Sequence, residues 1–96
     1  MDYRIIWSPE AVEDIESIAE YIERDSEFYA KAVVNKIFQS TEKLKEFPKI
    51  GRVVPELGRE DIRELIIYSY RLVYQVKERQ ILIIAVIHGK RLYWTP

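Results

Sequence analysis

Apolar residues recur along the chain with two different periods. They repeat at three and four over two long stretches, and they alternate or run continuously over several short ones. Residues 2–7 (DYRIIW) form a short β-type run with Tyr3, Ile5 and Trp7 on one alternating face. Ser8-Pro9 ends it and predicts a helix start, because the serine hydroxyl can accept an orphan backbone N–H and a proline at the first helical position has none to satisfy. The helix so begun is predicted to run to about Arg24. Ala11, Ile15, Ile18, Ala19 and Ile22 form its apolar stripe, and Glu10, Glu13 and Asp14 stand where the helix dipole favours negative charge.

Asp25-Ser26 supplies a break and a second cap. A second helix is predicted over about Glu27 to Phe47, with Ala30, Val33, Ile37, Thr41 and Leu44 in register and Val34 and Phe38 widening the stripe. Pro48 stops it. So short a connection makes the two helices antiparallel neighbours whose common apolar face needs a sheet to cover it. Residues 49–61 (KIGRVVPELGRED) read as one long irregular loop, of a length often functional in compact domains; Arg52 and Arg59 are secondary candidates there.

The rest reads as an antiparallel meander over Ile62–Ile67, Tyr70–Lys77 and Gln80–His88. The predicted fold is therefore α+β: an N-terminal strand, an antiparallel helical hairpin and a three-stranded meander completing one sheet, in one domain spanning residues 1–96. If Glu78-Arg79 is a two-residue hairpin loop, Lys77 pairs with Gln80, Arg71 with Val86 and Leu72 with Ala85. Leu72, Tyr74, Val76, Ile81, Ile83, Ala85 and Ile87 then face the helices. The opposite face holds Arg71, Val73, Gln75, Leu82, Ile84, Val86 and His88. A face that met only water would be polar; this one is an apolar floor carrying Arg71, Gln75 and His88. On this register Arg71 and His88 are diagonal neighbours that can share one pocket. Such a pair suits an anion, the guanidinium forking onto phosphate and the imidazole trading a proton near neutral pH. The alternative is that Arg71 bonds a carboxylate such as Glu64 and that the backbone satisfies His88.

Composition narrows the classes. At 96 residues, 48% hydrophobic and about a third charged, the chain is of ordinary globular composition. It has no cysteine and one histidine, so a disulfide framework, a thiolate nucleophile and a Cys-based zinc site are impossible, and no metal or other cofactor is expected. The longest apolar run, Ile81 to Ile87, is far too short to span a bilayer, and no signal-peptide pattern opens the chain; a cytoplasmic protein without membrane contact is expected. The net charge of −1 divides unevenly. Residues 1–50 carry seven Lys/Arg against eleven Asp/Glu, and residues 51–96 carry eight against five. Either the charges decorate two solvated faces, or the sheet end meets something anionic.

Several segments together resemble one family. WSPEAVEDIESIAEYI, FPKIGRVVPELGREDIREL, YRLVYQV and the closing GKR stand in the order found in the RelE/ParE superfamily of toxins from bacterial and archaeal toxin-antitoxin operons. The resemblance covers nearly the whole chain. It implies a helical hairpin on an antiparallel sheet, a growth-inhibiting activity and neutralisation by a cognate antitoxin. In the RelE branch the toxin enters the ribosomal A site and cuts mRNA without a metal. Arginines there stabilise the phosphate, and the substrate 2′-hydroxyl is the nucleophile.

The positions that match are Arg71 and Arg91, with His88 as a candidate acid or base; these three are the catalytic set if the chain is RelE-like. Arg63, Arg71, Lys90, Arg91 and Tyr93 are the candidates for target or phosphate binding, and Val73, Leu82, Ile84 and Val86 for antitoxin binding. Two features depart from RelE. Tyr93 is the one tyrosine beyond the final arginine, where RelE-type toxins place theirs further along, and the pI of about 5.9 is low for an RNA-engaging surface. The HGKR ending and the short tail after it look more like the ParE branch, which shares the fold, lacks the nuclease set and poisons DNA gyrase. Gyrase is the expected target, the ribosome with mRNA the alternative, and a degenerate, non-toxic interaction module the third possibility.

Overall fold

In the computed structural model, which describes residues 3–91, the chain forms β1 (Arg4–Trp7), α1 (Pro9–Glu23), α2 (Glu27–Lys43), β2 (Arg52–Val53), β3 (Ile62–Ile67), β4 (Tyr70–Lys77) and β5 (Gln80–His88). The five strands make one sheet in the order β1-β5-β4-β3-β2. The α+β architecture, helical hairpin and antiparallel meander are as predicted. The sheet is mixed, however, because β1 pairs parallel to β5, with Arg4 opposite Gln80 and Trp7 opposite Ile83. Among the described residues no helix is long and apolar enough to cross a membrane.

Both helix starts follow the predicted caps. The Ser8 hydroxyl accepts the Ala11 N–H and the Ser26 hydroxyl accepts the Tyr29 N–H, each at 3.0 Å. Helix α2 stops at Lys43 rather than Phe47. Its last turn tightens, with the N–H groups of Leu44, Lys45 and Glu46 donating to carbonyls three residues back, the 3₁₀ pattern common at helix ends. Strand β2 lies inside the stretch read as irregular. Two residues between Gly51 and Pro55 show no periodicity, and it is the partner β3 that orders them.

The helical hairpin covers one face of the sheet. Ala11, Ile15, Val33, Ile37 and Leu44 pack there on Ile67, Leu72, Tyr74, Ile81, Ile83 and Val86, all buried. Each side chain of this size removed from water contributes about 1.5–3 kcal/mol, so this layer dominates the stability. Tyr3, Ile5 and Trp7 pack against it from the edge.

The register of β4 on β5 follows the predicted one for only four pairs. Lys77 lies opposite Gln80, Val76 opposite Ile81, Gln75 opposite Leu82 and Tyr74 opposite Ile83. A bulge at Ile84 then shifts the strands, so that Val73 lies opposite Ala85, Leu72 opposite Val86, Arg71 opposite Ile87 and Tyr70 opposite His88. The first turn and a half of α1 fixes this bulge. The Ser8 hydroxyl donates to the Ile84 carbonyl at 3.0 Å, and an Asp14 carboxylate oxygen accepts the Val86 N–H at 2.9 Å.

A shift of one residue turns every side chain beyond it to the other face. Ala85 and Ile87, predicted to face the helices, instead join the opposite side. Val86 and His88 move to the helix side.

The opposite face is not open. Residues 54–61 fold over it, and Val54 packs with Ile62, Val73 and Ala85 in a second small core flanked by Leu57, Ile84 and Ile87. Gly51 starts this cover. Its N–H donates to the Tyr74 hydroxyl at 2.9 Å, and a Cβ there would stand 2.5 Å from the Glu64 carbonyl oxygen and 2.7 Å from the Tyr74 hydroxyl. Both obstacles are held in the sheet. Gly51→Ala is therefore expected to cost about 1–3 kcal/mol through overpacking. A lower urea midpoint at unchanged slope will show it, and an unchanged midpoint will refute it.

Candidate functional site

Arg71 is 5% exposed, and all five of its N–H donors are engaged. Its Nε donates to Glu64 Oε1 at 2.7 Å, and Nη2 lies 2.6 Å from the same oxygen. Nη1 and Nη2 form a fork onto the Glu56 carboxylate at 2.7 and 2.8 Å, and Nη1 also donates to the Arg91 carbonyl at 2.8 Å. The strands set up this arrangement. Glu64 lies opposite Val73, two residues along β4 from Arg71, which makes the two charges diagonal neighbours on one face. Arg52 lies directly opposite Glu64 across β2 and β3, and its Nε donates to Glu64 Oε2. Glu64 is fully buried between the two guanidinium groups, while Glu56 comes from the covering loop. The Glu56 carboxylate, above all, holds the Arg71 guanidinium even more firmly protonated than usual.

The other arginines of this half are similarly occupied. Arg63 donates to the Gly51 carbonyl at 2.9 Å, to the Glu60 carbonyl at 3.1 Å and to the Glu60 carboxylate at 2.9 Å, and so fastens both ends of the loop. Arg59 forks onto Asp61. The Gln75 amide and then the Arg59 guanidinium hold the Asp61 carboxyl below its usual value.

Arg71 and His88 do not share a pocket. His88 lies across from Tyr70, on the helix side, with the two rings edge to face at 6.0 Å. It is exposed, and its Nδ1 accepts the Lys90 N–H at 3.2 Å. Arg91 is brought to His88. The two line a hollow of about 340 Å³ with Asp14, Ser17, Tyr21 and Tyr70. Lys90 is exposed beside them, and Tyr93 lies outside the described residues.

Of the residues predicted to meet an antitoxin, Val73 and Val86 are buried in the two cores and cannot form a surface; Leu82 and Ile84 are half-buried. The apolar floor that suggested them is occupied by the chain's own Val54 and Leu57. Exposed large apolar side chains among the described residues stand elsewhere, among them Tyr21, Phe28, Tyr29 and Tyr68 around the tip of the helical hairpin, Phe47 with Ile50 beyond α2, and Ile66 on β3.

The tyrosines at the hairpin tip are what the sequence reading missed. Tyr21 from α1, Tyr29 from α2, and Tyr68 and Tyr70 from the β3–β4 turn converge on a second hollow of about 320 Å³ that adjoins the first through Tyr21, Tyr70 and His88. Tyr29 and Tyr68 stand edge to face at 6.0 Å. Tyr68 has φ of 54°, a conformation that costs a bulky residue about 1–2 kcal/mol. Burial, above all, raises the Tyr70 phenol above its ordinary value and keeps it neutral. Tyr21 and Tyr29 were legible as exposed positions on helices otherwise patterned for burial; Tyr68 gave no signal beyond its place in a tight turn.

Solved structures share this fold. The chain is similar to the chromosomal ParDE toxin-antitoxin system of P. aeruginosa, at a TM-score of 0.75 and 19% identity over 92% of this chain and 97% of that one. It is similar to an arginine-substituted mutant of the E. coli toxin RelE in the free state, at 0.69 and 21% over 94% and 86%. The toxin-antitoxin complex RelBE2 of Mycobacterium tuberculosis gives 0.61 and 22% over 92% and 99%. At these identities the likeness shows the RelE/ParE fold. No curated protein matches the sequence. The family model for the ParE toxin of the type II toxin-antitoxin system parDE matches residues 5–93, and the chain belongs to that family. It is thus a toxin of the type II toxin-antitoxin class.

The burial of the two candidates separates their roles. Arg71→Met leaves Glu64 and Glu56 without their shared cation and is expected to destabilise the fold by about 3–5 kcal/mol. His88→Ala, at an exposed position, is expected to stay within about 0.5 kcal/mol of the parent. Urea unfolding of both variants checks the contrast; equal effects would contradict it.

Proposed function

We propose that this toxin arrests growth by binding DNA gyrase rather than by cutting mRNA, and that a cognate antitoxin holds it inactive. The observation that carries this reading is the state of Arg71. The arginine that would clamp a scissile phosphate is buried, and two carboxylates and a carbonyl take all five of its donors. Releasing it toward a phosphate would leave Glu64 with Arg52 as its one cation and take the bidentate partner from Glu56, a cost that a nuclease would meet at every turnover. The uneven charge also supports a protein target. Helix α1 carries six carboxylates and no basic residue, and a polyanion would be repelled along that side. The P. aeruginosa and M. tuberculosis structures are toxin-antitoxin assemblies, which supports an antitoxin partner here.

One observation favours the second reading, a metal-independent, ribosome-dependent mRNA endonuclease. His88 and Arg91 line one hollow, where an imidazole and a guanidinium could serve as acid or base and as phosphate ligand without Arg71.

Two assays on the purified chain separate the readings. With gyrase and relaxed plasmid, supercoiling is expected to fall or cleavage complexes to accumulate, and added antitoxin to relieve the effect. With programmed ribosomes the message is expected to stay intact. Message cutting that His88→Ala and Arg91→Ala each abolish, with gyrase unaffected, would overturn the proposal.

A further inference from the structure

The hollow at the hairpin tip has the composition of a cation receptor. Tyr21, Tyr29, Tyr68 and Tyr70 present four aromatic rings to one cavity, and Asp25 supplies a carboxylate at its wall. No Lys or Arg lines it. Among the described residues none bonds or ion-pairs with the Asp25 side chain. The rings are held by different elements: the Tyr21 and Tyr29 helices meet at Asp25-Ser26, Tyr68 sits in the β3–β4 turn and Tyr70 opens β4. Aromatic faces attract a cation through their quadrupoles, and several faces around one volume do so more strongly than one.

The conformation of Tyr68 points the same way. This two-residue hairpin turn, between the Ile67 and Tyr70 pair, would accept glycine without strain, yet it carries a half-exposed ring at positive φ. The strain sets the ring at the cavity lip, opposite Tyr29.

We infer that this cavity is a docking site for an arginine side chain of a protein partner. A guanidinium suits it better than an ammonium because its plane stacks on aromatic faces while its edge forks onto a carboxylate such as Asp25. A peptide suits it better than a free small cation because the cavity runs into the neighbouring hollow through Tyr21, Tyr70 and His88, leaving room for residues on one side of the arginine. Phe28, 84% exposed, stands one residue from Tyr29 and offers an apolar contact outside the cavity. A nucleic acid strand could stack on the same rings, but the carboxylates of α1 and Asp25 oppose its phosphates.

The test uses the full chain, labelled for NMR, with N-acetyl-arginine amide as probe and its neutral isostere N-acetyl-citrulline amide as control. Neither gyrase nor antitoxin is present, so the outcome is independent of the target proposed above. The arginine probe is expected to shift the backbone amides of Tyr21, Asp25, Tyr29, Tyr68 and Tyr70 saturably, while the citrulline probe leaves them in place. Tyr29→Leu and Asp25→Asn should each weaken the arginine probe about two- to tenfold, and Tyr29→Phe, which keeps a ring, should restore most of the loss. Equal shifts from citrulline, shifts spread along the α1 carboxylates, or the same amides moving with a single-stranded RNA oligomer would each overturn the inference. So would the absence of a saturable shift in the folded parent.

Discussion

The buried contact between Arg71 and the carboxylates of Glu64 and Glu56 is the constraint on which the rest of this structure depends. A charge so far from water is tolerated only when every donor has an acceptor, and here each does. Glu64 ties Arg71 to β3 and, through Arg52, to the short strand β2. Glu56 brings the loop down, and the Arg91 carbonyl brings the chain beyond β5 back to the same place. With the loop down, Val54 and Leu57 close the second core, and the outer face of the sheet becomes interior. Without that clamp the middle of the stretch, between the Val54 and Asp61 bonds to the sheet, would lose the ion-paired anchor that Glu56 provides.

Closing that face decides which surface remains for partners. With its arginine saturated, the outer face is a structural one. The accessible chemistry moves to the helix side, where His88 and Arg91 line one hollow and four tyrosines line the next.

Much of this was legible from the order of residues, and the failures share a cause. The serine caps, the helix stripes and the meander follow from local rules and came out as expected. The site did not, because its geometry turns on one extra residue in β5. Ile84 sits in an unbroken apolar run, QILIIAVIH, where alternation carries no phase information and a bulge leaves no mark. The contacts that fix it, from Ser8 and Asp14, lie more than seventy residues away in sequence. From that slip came the pairing of Arg71 with His88 and the inversion of Ala85, Val86 and Ile87. The loop was hidden for a different reason: β2 is too short to show a period, and Glu56 reads as one more loop carboxylate until the fold sets it against Arg71. The reading of Arg71 as a partner of Glu64 stood among the alternatives, and the diagonal register realises it.

A double-mutant cycle between Arg71 and Glu56 tests most directly whether this cluster is the clamp described. Urea unfolding of the parent, Arg71→Met, Glu56→Gln and the double variant isolates the energy of that one pair. A clamp of the outer face predicts a coupling of about 2–3 kcal/mol, at the upper end of what contacting pairs show. Additive effects, with a coupling near zero, would contradict it.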